Sequence, residues 1–339
     1  MVTLLVSMQS NPMFLSKILC LLGLIIPLQA FCLDHRVVAY VPNWVDLDKF
    51  SETIEYNKLT HINVAFENPE NAEGDLSFSK KNEVLIRKAK ANGVKILVSI
   101  GGGGASENKV LQARYFELIS EVQREAFAGK IAKYVDEHGF DGLDVDIEGP
   151  SINEDYGAFI EALAKVLKPK GKLLTCALSK GYGGNKVKDE TLRHFDFVNI
   201  MAYDGAGAWN PNKPGQHSSL EFARSNVKFW LDKGLPKSKA VFGVPFYGYG
   251  FGDDFKKSGY GYDEILLKYP GAEKADQIGS TIWYNGIPTI KAKTQYVLGE
   301  ELGGIMIWSL DNDVKGENSL LTAIYETLRS KAASQSAGQ

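Results

Sequence analysis

Asp144, Asp146 and Glu148 recur at every second position in GFDGLDVDIEGP (139–150), alternating with Leu143, Val145 and Ile147. A β-strand turns successive side chains to opposite faces. This spacing therefore gathers the acids on one face, about 6.6 Å apart, and the aliphatics on the other. On a surface strand the acids would simply be solvated. In an enclosed site each ionised group loses water and is repelled by its neighbours, so at least one carboxyl keeps a proton at neutral pH and can act as an acid. Glu148 stands last in the row, just before Gly149 and Pro150 turn the chain.

Elements that could enclose such a row recur along the chain. Short β-rich runs are RVVAYVPNW (36–44), THINVAF (60–66), KILVSIGG (95–102), GLDVDIEG (142–149), LLTCALS (173–179), FVNIMAY (197–203), AVFGVPFYG (240–248) and GIMIWSL (304–310). Helical periodicity covers 83–93, 124–139, 155–171, 220–235, 289–303 and 319–333, and several of these stretches end in glycine before the next strand. This alternation predicts an α/β fold, a closed (β/α)8 TIM barrel rather than an open doubly wound sheet, with a short insertion at 249–288 between strand 7 and its helix. In such a barrel the aliphatics face the helices and the acids point inward. Active sites open at the C-terminal strand ends, so Glu148 is the natural general acid at the mouth. Asp146 and Asp144 lie successively deeper, where they can exchange a proton and raise the affinity of Glu148 for its own.

The remaining sequence narrows the setting. The chain has 339 residues, 44% hydrophobic and 23% charged, with a net charge of -3, the profile of a soluble globular protein. No basic stripe suggests nucleic acid and no basic amphipathic helix suggests a membrane surface. Lys17 precedes the apolar run ILCLLGLIIPLQA (18–30), which predicts a signal peptide over 1–30, cut after Ala30, with Met13 a candidate start. A lipid anchor at Cys32 is disfavoured by Phe31. The expected product is secreted, extracellular or periplasmic, without a membrane span once the signal is removed. One barrel over 31–333 and a flexible tail at 334–339 complete the organisation.

Cys20, Cys32 and Cys176 make no disulfide framework, and Cys176 reads as a small buried hydrophobe. The histidines His35, His61, His138, His194 and His217 are scattered without metal-binding spacing, so neither metal nor cofactor is expected. SIGGGG (99–104) lacks the trailing Lys-Ser/Thr of a phosphate loop and reads as a tight turn. A monomer is the default.

DGLDVDIE (141–148) resembles the DGxDxDxE signature of glycoside hydrolase family 18, the chitinases and their relatives. SIGG (99–102), MAYD (201–204), GVPFYG (243–248) and GGIMIWSLDND (303–313) resemble further motifs of that family in the family's order, and the resemblance covers residues 36–330. It implies that Glu148 protonates the glycosidic oxygen while the substrate's own 2-acetamido carbonyl attacks the anomeric carbon. Asp146 would hold the acetamido N–H and stabilise the oxazolinium intermediate, and Tyr203 would bond the acetamido carbonyl. Asp144 would share a proton with Asp146, held from below by Tyr40 and Ser99. Trp308 would floor the sugar ring, Asp204 would make a polar contact near the same subsite, and Met201 and Gly102 would belong to the substrate site. The implied partner is an oligo- or polysaccharide carrying N-acetylglucosamine.

Trp44, Trp209, Tyr247, Tyr249 and Phe251 fall near strand ends, as sugar-stacking or loop-packing residues. Within the resemblance a chitinase is favoured, on MAYD and YDEI (262–265). The alternatives are an endo-β-N-acetylglucosaminidase acting on N-glycan cores and a non-catalytic sugar-binding barrel. The family's lectin-like members typically lose the acid glutamate or a motif aspartate, and this chain keeps them.

Overall fold

The computed structural model describes residues 35–336. The segment read as a signal peptide, Met13 and Cys32 lie outside the described residues. Twelve strands follow in chain order: β1 (Arg36–Pro42), β2 (His61–Ala65), β3 (Lys95–Gly101), β4 (Gly142–Asp146), β5 (Leu173–Leu178), β6 (Phe197–Ile200), β7 (Ala240–Pro245), β8 (Tyr247–Gly250), β9 (Tyr260–Gly261), β10 (Gln277–Ile278), β11 (Ile282–Trp283) and β12 (Gly304–Trp308). Eight of them close a parallel barrel in the order β1-β12-β7-β6-β5-β4-β3-β2. The fold is the (β/α)8 barrel that the alternation implies.

Helices Asn82–Ala91, Arg124–Glu137, Tyr156–Leu167, Leu220–Asp232, Ile287–Gly299 and Leu320–Ser336 surround it. Lys109–Leu118 is a further helix, started by Asn108, whose side-chain oxygen accepts from the Val110 and Leu111 amides. Between β5 and β6 the crossover is made by two short turns, Gly184–Lys186 and Asp189–His194, in place of a full helix. None of the helices among the described residues is long and apolar enough to cross a membrane. The closing helix runs to Ser336, and the tail beyond it lies outside the described residues.

Period-two alternation sets what each strand face buries. Leu143, Val145 and Ile147 join the shell between barrel and helices, with Phe127, Ile131, Phe159 and Leu163. The barrel interior holds a separate apolar cluster that includes Val38, Tyr40, Ala177, Phe197, Tyr203 and Met306. The acids of β4 point into that interior.

The insertion is a small antiparallel sheet of order β10-β11-β8-β9 with one short helix, Tyr262–Lys268. Its first strand starts at Tyr247 rather than after residue 248, because the alternation of FYGYG continues once the chain has left β7.

The register places Ser99 of β3 beside Asp144 and Gly101 beside Asp146. Gly101 has φ 104°, and a Cβ there would lie 2.4 Å from the Asp146 carbonyl oxygen. Both its N–H and its carbonyl are bonded by the Asn68 side chain, at 2.9 and 3.1 Å. Gly101→Ala is therefore expected to cost about 2 kcal/mol or more, read as a lower urea midpoint; an unchanged midpoint would contradict this close approach.

Candidate active site

Asp144 is fully buried in the middle of the barrel. Its Oδ2 accepts from the Tyr40 hydroxyl at 2.6 Å and the Ser99 hydroxyl at 2.7 Å. Its Oδ1 accepts from the Thr175 hydroxyl at 2.6 Å and the Asn199 amide at 3.2 Å. Burial pushes the Asp144 carboxyl up, and these four bonds pull it back down. The implied holding of Asp144 by Tyr40 and Ser99 is thus present, and both of those side chains are buried beneath the acid rather than open to a ligand. Thr175 and Asn199 were not singled out from the sequence, where each is one polar residue in an apolar run. Their signal was an inward-facing register position.

Asp146, one layer higher, is treated very differently. Its Oδ1 is buried without a hydrogen-bond partner among the described residues. Burial, then the charges of Glu148 and Asp144, push its carboxyl well above the usual range. No hydrogen bond joins it to Asp144 among the described residues, because Asp144 spends both oxygens on its four donors. At rest one acid has both oxygens bonded and the other has a buried Oδ1 without a partner among the described residues.

Glu148 lies two residues past the end of β4 and is partly exposed at the cleft. Its backbone carbonyl accepts from the Ser106 hydroxyl at 3.1 Å and the Ser151 amide at 3.0 Å. The following Gly149 has φ 57°, and a Cβ there would sit 2.2 Å from the Tyr182 ring. Burial, then the charges of Asp204 and Glu107, raise the Glu148 carboxyl to about 7. A carboxyl at that value is protonated often enough at neutral pH to be an acid and is readily recharged afterwards.

Tyr203 and Asp204 follow β6. Tyr203 is buried, and among the described residues its hydroxyl meets only the Met306 sulfur, at 3.8 Å. Asp204 has φ 62° and accepts from the hydroxyls of Tyr247 (2.5 Å) and Tyr249 (3.1 Å), both on β8 of the insertion. The fully buried ring of His217 packs against both tyrosines and approaches the same oxygen, with Nδ1 3.5 Å from Asp204 Oδ1. Met201 is partly exposed beside the inner cluster.

Trp308 forms an aromatic floor with Tyr40 (centroids 5.4 Å) and stacks on Phe66 at 5.7 Å. Phe66 continues to Trp44, at 6.4 Å, which is 64% exposed. Gly102 brings no side chain to this surface. Its amide bonds the Asp146 carbonyl at 2.8 Å, and a Cβ would strike the Phe66 ring at 2.4 Å. Exposed Trp209 meets Tyr249 edge-on. Phe251 is buried against Trp283 within the insertion and is a packing residue.

Phe66 was missed in the sequence because a lone aromatic at a strand end carries no pattern. Glu67 was missed too: it is buried and bonded by Asn43, Ser77, Asn82 and the Ser79 amide. Among the described residues no group of three or more His, Cys, Asp or Glu could hold a metal ion.

A closed parallel barrel with an inward acid row and aromatic side chains at its strand ends defines the class, a (β/α)8 barrel with an acidic centre. The sequence profile of the Glycosyl hydrolases family 18 matches residues 36–313, and the chain belongs to that family. The GH18 chitinase ChiB from the chitin utilization locus of Flavobacterium johnsoniae is 38% identical, with a TM-score of 0.81 over 88% of this chain and 95% of that one. Human YKL-39, described as a pseudo-chitinase with retained chitooligosaccharide binding properties, is 25% identical, with a TM-score of 0.73 over 87% of this chain and 100% of that one. Probable chitinase 10 of Drosophila melanogaster is 25% identical over 83% of this chain, which spans only 15% of that protein's length.

The charge of Asp204 is one cause of the raised Glu148 value. Asp204→Asn should therefore shift the alkaline limb of kcat/KM to lower pH, as measured by pH–rate profiles of the two proteins. An unmoved limb would show that Asp204 does not act on Glu148 through its charge.

Proposed function

We propose that the protein is a secreted chitinase, cutting β-1,4 bonds between N-acetylglucosamine units with retention of anomeric configuration. The observation that carries this reading is the complete acid row beneath the Trp308 floor, with Glu148 raised to about 7 and one Asp146 oxygen unpartnered. A barrel of this family need not turn over sugar, as YKL-39 illustrates. Retention of Asp144, Asp146, Glu148 and Tyr203 favours catalysis here. The apolar run at 18–30 supports export.

Glu148 gives its proton to the glycosidic oxygen as the bond to the anomeric carbon breaks. The nucleophile is the substrate's own 2-acetamido carbonyl oxygen, so the spacing of carboxylates does not set the stereochemical outcome. The unpartnered Asp146 oxygen suits the acetamido N–H. Gaining that donor favours the Asp146 carboxylate and leaves its former proton for Glu148. The charged Asp146 then offsets the positive oxazolinium. The Tyr203 hydroxyl, weakly engaged at rest, bonds the acetamido carbonyl and aligns it. Glu148, now a carboxylate, takes a proton from the water that opens the intermediate from the same side, and the configuration is retained. Cellulose and xylan lack the internal nucleophile.

Product analysis by mass spectrometry tests the substrate. The N-acetylglucosamine hexamer should be cut, while cellohexaose and a high-mannose glycopeptide survive. A trimmed glycopeptide with intact hexamer would replace this reading by an endo-glycosidase, and survival of all three by a sugar-binding protein.

Glu148→Gln is expected to lose at least about a hundredfold in kcat while still binding the hexamer, measured by steady-state kinetics and calorimetry. The raised Glu148 carboxyl means that folding is opposed increasingly as pH climbs from the unfolded value toward 7, where the buried charge forms. The same variant should then melt no lower than the native protein above pH 7, and near-normal turnover would refute the acid assignment.

A further inference from the structure

Tyr203 and Asp204 lie beyond the last hydrogen-bonded residue of β6, and Asp204 is in the left-handed region, so the barrel ladder does not hold them. Segment 217–218 does. On one side of the pair the Ser218 hydroxyl donates to the Ala202 carbonyl at 2.8 Å. On the other the Gly205 amide donates to the His217 carbonyl at 2.8 Å. The His217 ring then faces Asp204, with Nε2 3.2 Å from the Tyr247 carbonyl.

Beneath this bracket lies Lys293, on helix Ile287–Gly299 and fully buried. Its Nζ donates to the Ser218 carbonyl at 2.7 Å, the Ser218 hydroxyl at 2.6 Å and the Asn285 side-chain oxygen at 2.6 Å. Three N–H groups meet three acceptors. Because Ser218 gives its own proton to Ala202, a continuous run of donors leads from Lys293 through Ser218 to the peptide before Tyr203. The Asn285 amide adds a bond to the Ser218 carbonyl at 3.1 Å.

An ammonium in such a place is costly to bury, and Lys293 forms no ion pair among the described residues. Burial lowers its pKa to about 7, with only the more distant Asp276 opposing. A packing role alone would need its methylenes and no charge.

We infer that Lys293 is a positioning residue of the active site, anchoring Ser218 and thereby fixing Tyr203 and Asp204 opposite Glu148. This inference rests on the hydrolase reading of that site. The test compares Lys293→Met, which keeps an unbranched apolar stem and removes the donors, with Lys293→Ala in the presence and absence of n-propylammonium. The readouts are kcat and KM on the N-acetylglucosamine hexamer, the melting temperature, and NMR of labelled His217.

For Lys293→Met, kcat should fall by about tenfold or more with KM changed less, and the His217 signals should move. The amine should restore kcat to Lys293→Ala. A kcat per folded molecule within about twofold of native, with only the melting temperature lowered and His217 unmoved, would overturn the inference. Should the lysine variants not fold, Ser218→Ala cuts the link to Ala202 alone: lost kcat at a near-native melting temperature supports the inference, and unchanged kcat overturns it. If the native protein cuts no hexamer, the hydrolase reading fails, and the His217 signals in Lys293→Met decide the positioning role by themselves.

Discussion

A carboxylate at the centre of a closed barrel has no water to solvate it, and Asp144 recovers that solvation from donors on four other strands: Tyr40 of β1, Ser99 of β3, Thr175 of β5 and Asn199 of β6. Hydrogen bonds to a charged group contribute about 1.5–3 kcal/mol each, so this set can offset much of the burial cost. β1 and β6 are not neighbours of β4 in the sheet, and only closure of the barrel brings their side chains across to it. The fold and the deep acid therefore require one another. A slip of β4 by one residue would turn Leu143 and Val145 inward and leave the acids against the helices.

Asp144 takes the four donors, and the next two carboxyls have none of them: the charges of Glu148 and Asp144 add to the burial of Asp146, while those of Asp204 and Glu107 add to the burial of Glu148. Asp146 is held well above the usual carboxylate range and Glu148 reaches about 7. Exposure rises toward the mouth, from Asp144 through Asp146 to Glu148, and only the deepest acid has its donors, which separates a structural acid from the two above it. Ser106 and Ser151 bond the Glu148 carbonyl. Asp204, whose charge bears on Glu148, is placed by β8 of the insertion and by the segment above Lys293. A subdomain that looks like decoration on the barrel is thus a structural neighbour of the acid.

The barrel and the direction of the acid row were legible because both rest on periodicity. Alternation in GLDVDIE assigns faces, and repeated strand–helix units imply closure. Glu148, Asp146, Asp144, Tyr203 and Trp308 were legible as motif residues, and the structure sets them in the barrel interior and at the C-terminal ends of its strands. What escaped reading was mostly single residues whose meaning is three-dimensional. Thr175 and Asn199 became visible only once strand registers were known. Phe66 gained its place from Trp308, far away in the chain. Phe251 was undecidable between cleft and packing until Trp283 took it into the insertion. Tyr40 and Ser99, read as site residues, bond Asp144, and Gly102 lies against the Phe66 ring, so what the structure shows of them is contact with the acid and with that ring.

The row should hold its protons unequally, with the Asp146 carboxyl well above the usual range and Glu148 near 7. Carboxyl-carbon NMR of the protein labelled at Asp and Glu, followed across pH, reads this directly, with Asp146→Asn and Glu148→Gln assigning the signals. The Glu148 signal should titrate near pH 7, and the Asp146 signal should remain that of a protonated carboxyl where surface carboxylates are already ionised. Ordinary titration of both below pH 5 would contradict it.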